Sequence, residues 1–497
     1  MRQPRLAIAS GNKPGADAAV SVARAGGNAV DACLASAVTG WVAAPFFTSI
    51  GGSGFATVRR PDGGVEVIDG NNAMPAGTPA HLGQGLRRVY LEYSNGMYTG
   101  IGGGSVATPG ILAAVHRTWE RHGSIEWAAL FEPAIAAARD GIEVPRTSAY
   151  YLTETWPAIW SQYPAARALF GAEAPIPEGH HLVQRELAGV LESVAAEGPG
   201  ALYGGSVGAE VAAAVRSDNG FLTITDLQAY EAIVRAPVAT EAFGWRVESN
   251  PPPAIGGAQL THLLELLRSQ RTDDPVTRLA AFIDAEQVVV GYRKDRYEDP
   301  GDVAIAYQEA ITALRASGAA SSSTTHTSAA DSDGLVCALT ESCGYGAGLV
   351  VNGIVLNNTL GEEELNPMGA HRLTAGSRCH SNMTPTVATG SDRVVGLGSP
   401  GADRIVGAVA QTFLRLALDG LDLADAVAAP RAHLAMKPSG PLLCYEPGLP
   451  GEALGYVPRP YTAPHMYFGA VQAASVASDG VVDGAHDPRR SGATAFV

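Results

Sequence analysis

Cysteine is scarce in this chain: five in 497 residues, at positions 33, 337, 343, 379 and 444. The number is odd and no CxxC pair occurs, which excludes a disulfide framework and the usual zinc spacings and predicts reduced thiols. Aromatic residues make up 7% and charged residues 17%, against 46% hydrophobic, so there is ample material for a large buried core. Positive charge is in deficit, with 34 Lys and Arg against 49 Asp and Glu and a net charge of −15. Neither nucleic acid nor an anionic membrane is therefore an expected partner. The opening MRQPRLAIASGNKPG has no apolar run long enough for a secretory signal and reads as a first strand. Together with reduced thiols this predicts a cytoplasmic location. The uncharged stretch between Asp31 and Arg59 is long, but Gly40, Pro45 and the Gly51-Gly52-Ser53-Gly54 run spoil it as a membrane span. It reads as a buried helix passing into a buried strand.

What is present is glycine, 59 of it, with abundant alanine, which suggests tight loops and closely packed layers. A helix is expected from Pro14 to Ala25, ending at Gly26-Gly27, and Asn28 can cap a second with Asp31 in its first turn. Two more helices are expected across 110–140, the second opened by Ser124. Pro251-Pro252-Pro253 stiffens a connection, and 275–315 read as helical before a loose tract at 316–323. From 324 onward short alternating segments punctuated by glycine read as strands, with a long helix at 402–419. No internal repeat is found. Interspersed helices and strands indicate an α/β chain.

Residues 318–334, GAASSSTTHTSAADSDG, carry the most chemical information. A threonine hydroxyl is inert at neutral pH unless a base lies beside it, and one such base is the residue's own α-amine. A free α-amine has a pKa of roughly 7.7–8.0, near what general-base work needs. An internal threonine has no free amine, so the chain would first have to cut itself at Ser323–Thr324. A small-residue approach to a strand beginning with Thr324 suits such a cut. It equally suits a Ser/Thr-rich surface loop between strands, and the string alone leaves both open.

Other motifs compete. Gly396-Leu397-Gly398-Ser399-Pro400-Gly401 spells GxGxxG after a strand and before a helix, the context of a dinucleotide loop. Pro400 removes a backbone donor there, and LDLADAVAAPRAH reads as another helix where a parallel strand is required. Cys379-His380 offers a thiol beside an imidazole, but adjacent strand residues face opposite ways. Gly102-Gly103-Gly104 lacks the GKS or GKT of a phosphate loop. No cofactor and no metal are expected.

Collinear motifs run through nearly the whole chain: GADAAVSVARAGGNAVDACLASAV (15–38), SIGGSGFATV (49–58), VIDGNNAMP (67–75), SVATPG (105–110), LTITDLQAYEAIVRAPV (222–238) and RVESNPPPAIGG (246–257). TTHTSAADSDG (324–334), IVLNN (354–358), MTPT (383–386), GSPGADR (398–404), APRAH (429–433) and DPR (487–489) follow in order. In this order they resemble the γ-glutamyltransferase family of self-processing N-terminal-nucleophile hydrolases. The resemblance implies a four-layer αββα sandwich in which a large segment (1–323) and a small segment (324–497) form one catalytic domain and, once cut apart, a heterodimer. It also implies that Thr324 is the nucleophile, assisted by Ser342, and that the Gly401 and Ala402 N–H groups hold the oxyanion. Thr325 and His326 are expected to pin the strand.

The implied substrate wall departs from the family. The arginine expected to grip an α-carboxylate falls on Asn71, followed by Asn72, and asparagine cannot replace a guanidinium fork. An asparagine is replaced by Gly344, Thr359 and Glu362 stand where glutamine and aspartate are usual, and a serine pair becomes Ser381-Asn382. The expected substrate is accordingly a small acyl compound other than glutathione. Hydrolysis of an amide is one expectation; cleavage of an activated C–C bond, as in some relatives from antibiotic pathways, is another. A γ-glutamyl transferase with an unusual pocket and an uncleaved scaffold protein are the alternatives.

Overall fold

The computed structural model describes residues 4–92, 96–296, 324–366, 368–437 and 440–497, with backbone alone over 290–296. Two antiparallel sheets form its centre. The first has seven strands, ordered Ala493–Phe496, Leu6–Ser10, Thr325–Asp331, Val336–Ser342, Ser53–Arg59, Val65–Gly70 and Ile233–Arg235. The second has six, ordered Val482–His486, Gln472–Ala477, Arg393–Gly398, Thr386–Thr389, Trp245–Ser249 and Val238–Ala242. Each of these two sheets mixes strands from before and after Thr324, so neither central sheet belongs to one segment alone.

The period-two alternation of strands assigns the layers. Ala330 and Val336 face inward and meet Val387, Val394, Ala474 and Val476 of the second sheet. All six are Ala or Val, which lets the sheets approach closely. Ala329, Cys337 and Leu339 face outward, against the helices Ala29–Ala43, Ile111–His122, Glu132–Asp140 and Arg185–Glu197. The outer face of the second sheet, including Val247, Val395 and Ala473, packs on helices Gly256–Leu267, Arg404–Ala417 and Leu423–Ala428. Helix, sheet, sheet, helix is the expected four-layer sandwich.

Local chemistry explains the helix ends. Asn28 accepts from the Val30 and Asp31 N–H groups while Asp31 returns a bond to the Asn28 N–H, a reciprocal cap. Every residue of the helix behind this cap is buried, as expected for the uncharged stretch. The first helix begins at Lys13, capped by Asn12, one residue ahead of Pro14. Ser124 opens no helix: its N–H and hydroxyl are both taken by the Asp31 carboxylate, and the next α-helix starts at Glu132. The 402–419 expectation corresponds to Arg404–Ala417. Of the 275–315 expectation, Pro275–Arg296 is helical, and the remainder with the 316–323 tract lies outside the described residues. Among the described residues no helix is long and apolar enough to cross a membrane.

The dinucleotide reading fails on topology. Strand Arg393–Gly398 pairs antiparallel with both neighbours, so there is no parallel βαβ unit to carry it. Cys379 and His380 lie outside the strands; burial pushes the Cys379 thiol up to about 12, and His380 Nδ1 is 3.0 Å from the Leu365 carbonyl. All five cysteines are buried and unbridged.

Candidate active site

Thr324 stands at the head of strand Thr325–Asp331, fully buried. The register Thr325 opposite Glu341 places it beside Ser342 at the end of the neighbouring strand, both side chains on the face toward the second sheet. Their hydroxyl oxygens are 3.4 Å apart, and the Ser342 hydroxyl accepts the Gly344 N–H at 3.0 Å. The Thr324 carbonyl accepts from Arg490 Nη1 at 2.9 Å.

His326, two residues on, is sealed between the sheets. Its ring nitrogens lie 2.8 Å from the hydroxyls of Thr340 and Ser328, and burial lowers its pKa to about 3. A neutral imidazole with both nitrogens engaged fixes strands rather than moves protons. Glu341 points the opposite way, into the helical layer, where the Trp41 indole N–H donates to it at 2.8 Å. Burial pushes this carboxyl up to about 8, against the lowering effect of its hydrogen bonds.

Gly398 brings the glycine-rich loop over this end of the sheet. A β-carbon there would stand 2.4 Å from the His326 ring, so only glycine lets the strand pass. The loop then turns through Gly401 at φ +128° and Ala402 at φ +63°. A buried alanine in the left-handed region costs roughly 1 kcal/mol, and such strain persists only where the surroundings impose it. Among the described residues, neither the Gly401 nor the Ala402 N–H donates to an acceptor. Two uncommitted N–H groups on a strained turn form the kind of concavity that receives an anion. Asp403 follows, paired with Arg404 and 3.3 Å from His433 Nε2, whose Nδ1 is 2.9 Å from Glu286. Burial alone would lower the His433 pKa; the two carboxylates outweigh it and push it up to about 9.

Asn71 and Asn72 form a second set of contacts through their amides. Asn72 donates to the Thr359 hydroxyl at 2.7 Å, and its carbonyl accepts the Cys379 N–H at 2.8 Å. Asn71 donates to the Cys379 carbonyl at 2.5 Å and accepts from the Tyr230 hydroxyl at its own carbonyl. Its side chain therefore ties two segments together. Glu362 is buried, with a carboxylate oxygen 2.8 Å from where a Gly344 β-carbon would stand. The turn after Thr359 thus abuts the turn after Ser342. The Ser381 hydroxyl accepts the Met383 N–H at 3.2 Å, and its carbonyl receives the Ile255 N–H at 2.8 Å. The Asn382 carbonyl accepts from Thr384. Thr324, Ser342, Gly344 and Glu362 are thereby one connected group, whereas Asn71 and Ser381 are occupied in holding loops.

Sequence reading missed Arg490. It is one of two adjacent arginines after Asp487-Pro488, and nothing in their spacing tells which one reaches a carbonyl 166 positions earlier.

Comparison with known proteins shows the family and the fold. The gamma-glutamyltranspeptidase family model matches residues 15–497. A glutathione hydrolase proenzyme of Escherichia coli (strain K12) is 27% identical over 530 aligned positions, covering 97% of this chain and 90% of that protein. An acylase ACY 1 proenzyme of Pseudomonas sp. (strain SE83) is 29% identical, covering 84% of this chain and 81% of that one. Among solved structures, a cephalosporin acylase from Bacillus halodurans shares the fold at a TM-score of 0.84 and 22% identity, over 99% of this chain and 96% of its own. With its four layers and a match across nearly its full length, the chain belongs to the gamma-glutamyltranspeptidase family and is an enzyme of the N-terminal-nucleophile hydrolase type.

Proposed function

We propose that this enzyme cuts itself ahead of Thr324 and then uses that residue to transfer an acyl group from a small substrate other than glutathione to water. The observation that carries the reading is the buried Thr324 hydroxyl, 3.4 Å from Ser342 at the head of a central strand. In the first stage the hydroxyl attacks the preceding carbonyl, the acyl group moves from nitrogen to oxygen, and water opens the ester. Residues 1–323 and 324–497 then remain as a heterodimer. Ser342 orients the hydroxyl and steadies the new terminus.

In the second stage the freed α-amine takes the hydroxyl proton as the oxygen attacks the substrate carbonyl. The Gly401 and Ala402 N–H groups receive the oxyanion; a donor of this kind is worth roughly 3–4 kcal/mol in the transition state. The amine returns the proton to the leaving group, and water releases the acyl product. An activated C–C bond next to a carbonyl, as in antibiotic metabolism, is open to the same attack. Asparagine at 71 and 72, with no guanidinium at the position expected to grip an α-carboxylate, supports a substrate without that group, and the acylase relative is in keeping with it. That both named relatives are proenzymes supports the first stage.

A second reading, γ-glutamyl transfer, draws on one observation: the Glu362 carboxylate beside the Ser342 turn is placed to meet an α-ammonium. Denaturing gels with N-terminal sequencing test the main reading. Wild-type protein should give two bands, the smaller beginning Thr-Thr-His; a single band after days of incubation refutes it.

A further inference from the structure

The DPR and APRAH motifs belong to no step of the proposed reaction, yet they converge on the nucleophile. Asp487, Arg489, Glu446 and Arg431 form a buried ion cluster. Arg431 meets Asp487 at 2.7 Å, Arg489 meets Asp487 at 3.0 Å, and Arg489 Nε donates to Glu446 at 2.8 Å. The cluster is locked to the backbone, since Asp487 accepts the Val471 N–H and Glu446 accepts those of Arg431 and His465. The turn leaving it carries Arg490, and the next residue, Ser491, is pinned to Thr147 of the large segment at 2.7 Å. Arg490 is buried, its guanidinium 4.7 Å from the centre of the Phe47 ring and bonded to the Thr324 carbonyl at 2.9 Å.

Covalent geometry keeps a residue's amine within about 3.6 Å of its own carbonyl oxygen, so with the 2.9 Å hydrogen bond the guanidinium nitrogen lies no more than about 6.5 Å from the Thr324 nitrogen. We infer that Arg490 is a positioning residue for Thr324: it clamps the carbonyl and, once the chain is cut, destabilises the neighbouring ammonium so that its proton passes to water. The inference rests on Thr324 becoming a chain terminus. A cation this close, shielded from water, depresses an ammonium pKa by about one to two units. That moves the base from mostly protonated to mostly free at neutral pH.

Other charges do not substitute. His326 on the same strand is neutral, and Glu341 on the adjacent strand faces the helices. Asp487 and Arg489 on the turn, and Asp403 and Arg404 on the glycine-rich loop, are paired with opposite charges. His465, beside the ion cluster, is held below its ordinary pKa by burial. Glu362, across the Ser342 turn, is a carboxylate facing this side, and it acts in the opposite direction.

Periodate supplies the test, because it oxidises a terminal threonine only through its free amine. Wild-type processed enzyme should be oxidised, and absence of oxidation indicts the terminal nucleophile itself rather than Arg490. With oxidation established, the pH midpoint should rise by about one unit or more in Arg490→Gln, together with the acidic limb of kcat/KM. Arg490→Lys should stay within about 0.3 unit of wild type. If Arg490→Gln does not cut itself, residues 1–323 are co-expressed with a chain starting Met-Thr324, whose methionine the host removes. A uniform drop in rate with both midpoints unmoved overturns the inference and leaves Arg490 a structural residue.

Discussion

The two sides of the candidate site are held in different ways. Around Thr324 charge supplies much of the bracing: the Asp487–Arg489–Glu446–Arg431 cluster carries Arg490, and Asp403, Arg404 and His433 brace the turn after Ala402, beside the neutral contacts of His326 with Thr340 and Ser328. Around Asn71 and Asn72 neutral amides bonded to backbone and hydroxyl groups do more of the holding, with one buried carboxylate, Asp69, accepting the Asn71 N–H and pairing with Arg235. Charge holds a geometry strongly, but breaking one partner leaves the other stranded without water. Amide contacts cost less to exchange. The difference fits the proposed roles, a fixed reaction centre at Thr324 and a more changeable specificity region at Asn71 and Asn72.

The largest test of that contrast is Thr324→Ala, which should abolish both the cut and turnover, a loss of at least about a thousandfold by gel and rate assay. Full activity in that variant ends the assignment. Next comes the ionic side: Arg489→Met strands Glu446, leaves Asp487 to Arg431 alone, and should cost about 3–5 kcal/mol in denaturant unfolding. If Asn72→Leu costs as much, the two sides are not held differently. The wall itself is probed with substrates. A γ-glutamyl anilide should fall at least about a hundredfold below a neutral acyl anilide in kcat/KM, as expected where no guanidinium grips the carboxylate. Parity between them favours the γ-glutamyl reading.

The smallest effect concerns pH. The folded Glu341 carboxyl sits at about 8, above its ordinary unfolded value, so the folded state keeps a proton that the unfolded chain has released. Its contribution is intact below about pH 4.5 and is lost as pH rises toward 8. Glu341→Gln should flatten this dependence, raising Tm at pH 8 by about 2 °C or more relative to wild type, with little change at pH 4. An unchanged slope would mean that the carboxyl ionises normally.

Legibility in the sequence followed the range of the interactions. The Asn28–Asp31 cap lies within four residues and was readable from them, as was the buried stretch behind it. Ser124 misled because its natural use as a cap is overruled by Asp31, 93 positions away, which claims both its donors. The strand after Thr324 was visible in its alternation, but the neighbour that supplies Ser342 depends on register, which local pattern does not specify. The substitutions at Asn71 and Thr359 could be seen only against a family pattern. Their mutual binding, through Asn72 and Cys379, needed the fold.

If the chain is severed ahead of Thr324 as proposed, the braided first sheet decides how the two pieces behave. Strand Thr325–Asp331 is hydrogen-bonded on one edge to Leu6–Ser10 and on the other to Val336–Ser342, so breaking the peptide before Thr324 removes no rung of either ladder. The pieces should co-purify in native buffer and separate only when the sheet melts. Because melting then releases two chains instead of one, their unfolding midpoint should fall on dilution, whereas that of an uncut variant should not.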